Sequence, residues 1–408
     1  MSEPSSDEDE SWDDVTLKCI KRNGPRVKSF NPLAGDIQNM TDEEWERLGR
    51  DIANNTHLQT LSLHHDALSD HKMSCLFRGL TRSSSITLMA LYENQFSAAA
   101  VRSMVPFLQN ANNLTYLDLD HNTILSEGFN MIFRALHDSP IKMLCCNECG
   151  IEPMEIDIEH APRHLKELQL NRNKINTDGC RAIAKLMQGG DTNLGSLHLR
   201  DNEIDDVGVE ILVNALQNNS LLKELDLKEN KRISNHGNIM LLKLVNDISS
   251  IKATLRSNHT LTFLLCADDQ IQKDIDIATY INKNAGSPEA AGREKVIWMQ
   301  LNSERRAEFA ELQGGMNHSV YSEINPLHLP EVLALVGNHH GQGDIYLALK
   351  ASIADLISTV NREQCIEAQM AYHASKLEQL GAELAAIKAA KGGRAEDGEF
   401  RSSKRRRK

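Results

Sequence analysis

Aromatic side chains are scarce in this 408-residue chain, at 4%, so its core does not rest on a few large rings. No apolar run approaches the roughly 20 residues that a membrane-spanning helix needs, and no membrane partner is expected. The eight cysteines, at 19, 75, 145, 146, 149, 180, 266 and 365, follow no secreted disulfide spacing. The opening MSEPSSDEDE has neither the basic start nor the apolar stretch of an export signal. An intracellular, thiol-reducing setting is therefore expected, cytoplasmic and/or nuclear. Positive charge is in deficit: the formal net charge is -12, which argues against a general nucleic-acid binder, whose affinity comes mostly from neutralised phosphates. No G-x-x-x-x-G-K-[ST] nucleotide loop occurs either.

What the chain does have is a repeated aliphatic frame. LGSLHLRDNEI places Leu194, Leu197, Leu199, Asn202 and Ile204 in the frame L-x-x-L-x-L-x-x-N-x-L. The frame recurs in LKELQLNRNKI from Leu165, LTYLDLDHNTI from Leu114, ITLMALYENQF from Ile86 and LQTLSLHHDAL from Leu58. LKELDLKENKRI from Leu222 carries one extra residue, and LTFLLCADDQI from Leu261 uses Cys266. With Ile141, the starts at 58, 86, 114, 141, 165, 194, 222 and 261 lie 28, 28, 27, 24, 29, 28 and 39 residues apart. Three aliphatic anchors supply a short strand, and the Asn or Cys side chain bonds backbone groups that the turn leaves unpaired. Gly128, Gly179, Gly208 and Gly237 then stand at nearly constant distance after the asparagine, each opening a helical pattern. They are expected to let that helix approach the strand.

The frame and the spacing resemble the ribonuclease-inhibitor-like class of leucine-rich repeats, seen also in the sensor arms of NOD-like receptors. The resemblance covers about residues 27–280 and implies an α/β fold: a curved solenoid with parallel strands on the concave side and helices on the convex side. It is specific for fold and nearly silent about function. The nucleotide-binding domain of those receptors has no counterpart here. Ran GTPase-activating proteins carry similar repeats, but the early concave positions here are His64 and Tyr92 rather than arginine, so no catalytic residue carries over. The expected organisation is an acidic disordered tail (1–26), the solenoid (27–280) and a helical cap (281–343). A long amphipathic helix (344–392) and a basic disordered tail (393–408) follow.

The run LCCNECG, Leu144 to Gly150, brings three cysteines together. In frame, Cys146 and Cys149 are core anchors and Cys145 points to the concave face, a blander reading than zinc, which needs four ligands. Pro153 and Pro162 in this short repeat predict a loop where its neighbours carry helix. His64, His65 and His71 look like a metal cluster only if the frame is ignored, since His64 then faces the concave side and His71 opens the helical side. GNHHGQG at 337–343 is followed by no Gly-Lys-Ser/Thr. No catalytic triad, cofactor site or metal site is assigned, and the chain is read as non-enzymatic.

Residues between anchors project from the concave face. Those chosen as protein-binding are Tyr92, Tyr116, Asp118, Asp120, Asn147, Asn171, His198, Arg200, Asp226 and Lys228. They make a face aromatic and acidic early, amide-rich in the middle and mixed in charge later. The expected function is an adaptor or sensor holding an unidentified protein there; the alternative is regulation of a small GTPase through the same face. Beyond the frame, Ile366, Met370, His373, Leu377, Leu380, Leu384 and Ile387 follow steps of four and three, a heptad seam over three repeats. The seam suits either a homodimer or helical partner, or packing back onto neighbouring helices. KRRRK, from Lys404, Arg405, Arg406 and Arg407 to Lys408, resembles a nuclear import signal or is a solvated basic end.

Overall fold

The computed structural model describes residues 12–32, 37, 39–64, 68–152, 160–188, 193–249 and 251–296. Residues 1–248 and 252–295 form one compact unit; a second comprises 249–251 and 296–408, of which only 249, 251 and 296 are described. The seam residues Ile366 to Ile387 and the basic run Lys404 to Lys408 lie outside the described residues.

Nine short strands form one parallel sheet in chain order: β1 (Ser29–Phe30), β2 (Thr60–Ser62), β3 (Leu88–Ala90), β4 (Tyr116–Asp118), β5 (Met143–Cys145), β6 (Glu167–Gln169), β7 (Ser196–His198), β8 (Glu224–Asp226) and β9 (Phe263–Leu265). Between them run α2 (Asp42–Asn54), α3 (Asp70–Gly79), α4 (Ala98–Asn110), α5 (Leu125–Ala135), α6 (Thr177–Gln188), α7 (Asp206–Leu216), α8 (Asn235–Val245) and α9 (Ile251–Arg256). Helix α1 (Trp12–Lys21) precedes the sheet, and α10 (Asp269–Asn284) and α11 (Pro288–Lys295) follow it. Leu61, Met89, Leu117, Leu144, Leu168, Leu197, Leu225 and Leu264 are register partners at the strand centres, all buried. Strands stack about 4.8 Å apart and helices about 8–10 Å apart, so the helical layer takes the outer, convex side.

The asparagine position behaves as its chemistry requires. Asn94, Asn122, Asn173, Asn202 and Asn230 are buried. Asn202 Nδ2 donates to the carbonyls of Leu170, Leu199 and Arg200, while its Oδ1 accepts from Ile175 N–H. Asn173 and Asn230 repeat that pattern toward Ile151 and Ile204. Cys149 stands in for it with Sγ contacts to the Leu119 and Asn147 carbonyls at 3.2 and 3.4 Å. Cys146 and Cys149 are fully buried, as the frame requires.

Four features differ from the sequence reading. Residues 12–21, expected within a disordered tail, form α1, whose Ile20 is buried and whose carbonyl accepts from Asn55 Nδ2 at 3.0 Å. Strand β1 precedes the first repeat in frame; two residues are too short to show a period. The glycine in the first turn of these helices meets its own repeat's last anchor rather than the strand: a Cβ on Gly179 would lie 2.6 Å from Ile175 Cγ2, and one on Gly237 2.7 Å from Ile233 Cγ2 and 2.4 Å from Asp206 Oδ1 of the preceding repeat. The 39-residue interval holds two helices, α8 and α9. Between β5 and β6 no α-helix occurs among the described residues, and residues 153–159 lie outside them.

Candidate protein-binding face

Side chains at the strand ends form a continuous polar row. Asp120 Oδ1 accepts from Asn147 N–H at 2.7 Å, Asn147 Oδ1 from Asn171 N–H at 2.7 Å, and Asn171 Oδ1 from Arg200 N–H at 2.9 Å. Each repeat thus ties down the next. Asp118 and Asp226 act within their own repeats, accepting from the backbone N–H of Asp120 and Lys228. Asn147 and Asn171, chosen from sequence as binding residues, therefore spend a carbonyl oxygen on the sheet itself.

The early half of the row joins the predicted residues most closely. Tyr116 donates its hydroxyl to Asp118 Oδ2 at 3.1 Å and lies 4.0 Å from Cys145 Sγ. Asn147 Nδ2 donates to Asp120 Oδ2 at 2.8 Å and to Gln169 Oε1 at 3.1 Å, and Gln169 donates on to Glu167 at 2.7 Å. Tyr92 stacks on His64, ring centres 4.6 Å apart at 7°. Burial raises the pKa values of Asp118 and Asp120 above the usual carboxylate range, although hydrogen bonds and His121 pull the other way. Neither pairs with a lysine or arginine among the described residues. Burial likewise raises Tyr116 and Cys145 well above their ordinary values, so neither is poised as a nucleophile.

Later repeats adjoin that network at Glu167. The Ser196 hydroxyl donates to Glu224 at 3.0 Å and lies 2.9 Å from His198 Nε2, while His198 is 3.7 Å from Glu167. Arg200 pairs with Glu229.

Glu167, Gln169 and Glu224, on the concave face but outside the expected binding set, and Ser196 complete these clusters from the strands. The residue before each asparagine position is also outside that set. Glu93, His121, Glu148, Arg172, Asp201 and Glu229 all take left-handed backbone, φ between 51° and 63°. The N–H groups of Glu93, His121, Glu148, Arg172 and Asp201 each bond a carbonyl of the next repeat. Turned outward, they meet along the rim: Glu148 pairs with Arg172 at 3.4 Å and lies 3.3 Å from His121 Nδ1. Their constant place before the anchor was the available signal.

A family model described as Leucine Rich repeat matches residues 110–129, 161–184 and 190–213. These repeats are leucine-rich repeats. They resemble those of ribonuclease inhibitors: the Mus musculus and Sus scrofa proteins are 26% identical over 186 residues and 27% identical over 188, each covering 44% of this chain and 41% of the relative. NACHT, LRR and PYD domains-containing protein 14 of Mus musculus is 22% identical over 224 residues, 53% of this chain and 23% of its own. The chain thus spans less than half the length of these curated relatives. Among solved structures, the complex of Rad7 and Elc1 in yeast matches with a TM-score of 0.41 and 16% identity, over 63% of this chain and 62% of that one.

Proposed function

We propose that the chain is a non-enzymatic protein-binding adaptor or sensor, and that the early concave face takes a basic side chain of its partner. The observation that carries this reading is the Asp118 and Asp120 pair. Both carboxylates are more than half withdrawn from water, their pKa values are raised by burial, and Tyr92 and Tyr116 lie on the same face. A lysine or arginine from a partner would supply the missing positive charge in a partly desolvated setting, where charge pairs discriminate strongly between partners. The tyrosines are of the type that gains by being covered. Ribonuclease inhibitors, by their name, act on another protein, which supports a binding role for repeats of this kind. Association through Ile366 to Ile387 and nuclear import through Lys404 to Lys408 belong to the same proposal, as a second contact and an address.

The test is quantitative capture from native lysate, comparing the intact chain with Asp118→Asn, Asp120→Asn. Asparagine keeps the oxygen that each backbone N–H needs and removes the charge, although its amide nitrogen then faces the Tyr116 hydroxyl and Asn147 Nδ2 in place of an accepting oxygen. Partners lost from the variant support the reading; a full partner set kept by the variant overturns it and moves the search to residues 281–408. Faster GTP hydrolysis by a small GTPase on adding the pure chain would favour the GTPase-regulator alternative instead.

A further inference from the structure

Helices α2 and α3 meet backbone to backbone through two glycines. A Cβ on Gly79 would lie 2.1 Å from the Glu46 carbonyl oxygen, and one on Gly49 2.1 Å from that of Leu76. Only glycine at both positions permits this approach, and it fixes the facing side chains of the two helices against one another. On α3, His71 and Cys75 are four residues apart and share a face. Asp42, the first residue of α2, reaches the same point. Its Oδ2 is 2.6 Å from His71 Nε2, which is 3.9 Å from Cys75 Sγ, and the three donor atoms all lie within 4.8 Å of one another. Among the described residues this is the group of His, Cys and carboxylate side chains arranged to hold a metal ion.

We propose that Asp42, His71 and Cys75 form a three-ligand site for a zinc-class divalent cation, with the fourth position open to solvent. An oxygen, a nitrogen and a sulfur donor suit zinc. Ligand bonds of about 2.0–2.3 Å place neighbouring donors about 3.3–3.6 Å apart around a tetrahedron. The His71 and Cys75 atoms would close slightly and the His71 and Asp42 atoms open slightly. The His71 and Asp42 side chains, 66% and 58% exposed, are free enough to make that adjustment. Charge also fits, because a thiolate and a carboxylate balance a dication. Arg78 stands beside the sulfur, donating from Nη2 to Sγ at 2.9 Å and from Nε to Glu46 at 3.3 Å. It competes for the sulfur when the metal is absent and keeps Glu46 as its partner when the metal is present.

The site is not the histidine cluster that the sequence suggests. His64 lies on the opposite side of the repeat, stacked on Tyr92. His71 finds its neighbours across the α2–α3 contact, 29 residues away at Asp42 and one helical turn away at Cys75.

The experiment uses the full chain stripped with a chelator, with Co2+ as the optical probe and Zn2+ as competitor. The expected result is a thiolate-to-cobalt absorption band that saturates at one ion per chain and is displaced by Zn2+. The band is lost in Cys75→Ser and in His71→Ala, weakened by roughly tenfold or more in Asp42→Asn, and kept in Cys145→Ser. His71→Ala and Asp42→Asn alter exposed groups, so their circular dichroism without metal should match the unaltered chain. No band with the unaltered chain, or a band that survives Cys75→Ser or His71→Ala, would overturn the site. Loss of the band in Cys145→Ser alone would overturn it too, by placing the metal on the cysteine run.

Discussion

At the scale of single residues, the repeat depends on an amide that gives and accepts at once. Asn202 serves three carbonyls and one N–H while 8% exposed. Asn202→Ala should cost about 1–3 kcal/mol for each backbone group it strands, read as a lowered urea midpoint with an unchanged slope. Cys149 shows what changes when the amide is missing. Its sulfur contacts two carbonyls, but the facing turn has no amide oxygen to accept its N–H groups. There Leu125 takes φ 55° and donates to the Cys149 carbonyl, and Ile124 opens α5 without a side-chain cap. Lys295 is a second case of one side chain with a large consequence. It is fully buried, bonded to the Val245 carbonyl and 3.3 Å from His259 Nδ1. Burial lowers Lys295 to about 7 and, with Lys295 beside it, lowers His259 to about 4. In both cases the folded state disfavours the proton, so the unfolded chain binds more protons between the folded and unfolded values. Stability should therefore rise with pH from about 4 to 6.5 through His259 and from about 7 to 10.5 through Lys295. Lys295→Met should flatten the upper window, measured as the urea midpoint against pH.

At the scale of elements, the caps and the helix contacts follow from short-range chemistry that the frame alone does not show. Thr41 closes a capping box with Glu44 at the start of α2, and Ser97 at the start of α4 bonds Asp70 of the preceding repeat through both its N–H and its hydroxyl. Such caps stop each helix from fraying and hand it to its neighbour. The α2–α3 contact is the sharpest element-level dependence. Gly79→Ala gains up to about 1 kcal/mol in helix propensity, but its methyl would meet the Glu46 carbonyl at 2.1 Å. Overpacking of that kind costs about 1–3 kcal/mol, so a net loss of thermal stability is expected by calorimetry. Co2+ binding should weaken with it if the two helices separate, because Asp42 and His71 sit on different sides of the contact.

At the scale of the whole molecule, a binding face carries a signature that a structural row does not. Asp118 and Asp120 have raised folded pKa values, so their charged forms are disfavoured by folding. Stability from these groups is greater at low pH and is lost as pH rises through their folded values. Replacing both by Asn removes that charge cost at neutral pH but takes the acceptor from Asn147 Nδ2, so the two effects offset and stability should change little, while partner binding falls by about 2–5 kcal/mol if each carboxylate meets a buried cation. Asp120→Ala, which also removes the acceptor for Asn147 N–H, should instead destabilise the chain by about 1–3 kcal/mol. Parallel urea titrations and affinity measurements on the unaltered chain and these two variants separate the two roles. A partner held through these charges should also dissociate more readily in high salt.

The aliphatic frame was legible in the sequence because strand side chains alternate and a solenoid repeats its core in every turn: Leu197, Asn202 and Ile204 are recognisable beside Leu168, Asn173 and Ile175. Strand β1 and helix α1 were not, since two residues show no period and an acidic stretch reads as solvated until Ile20 is seen against the Asn55 side chain. The site was half legible. Position in the frame placed Tyr116, Asp118, Asp120 and Asn147 on one face, but only folding showed that Asn147 and Asn171 hold their neighbours' backbones and that Asp118 and Asp120 meet no lysine or arginine among the described residues. The meeting of Asp42 with His71 and Cys75 lies wholly beyond the frame. It depends on two glycines 30 residues apart letting two helices touch, and distance along a chain carries no record of such a contact. Local periodicity thus determined which residues face the core and which face outward; tertiary packing decided which outward groups meet, because that depends on how closely separate elements can approach.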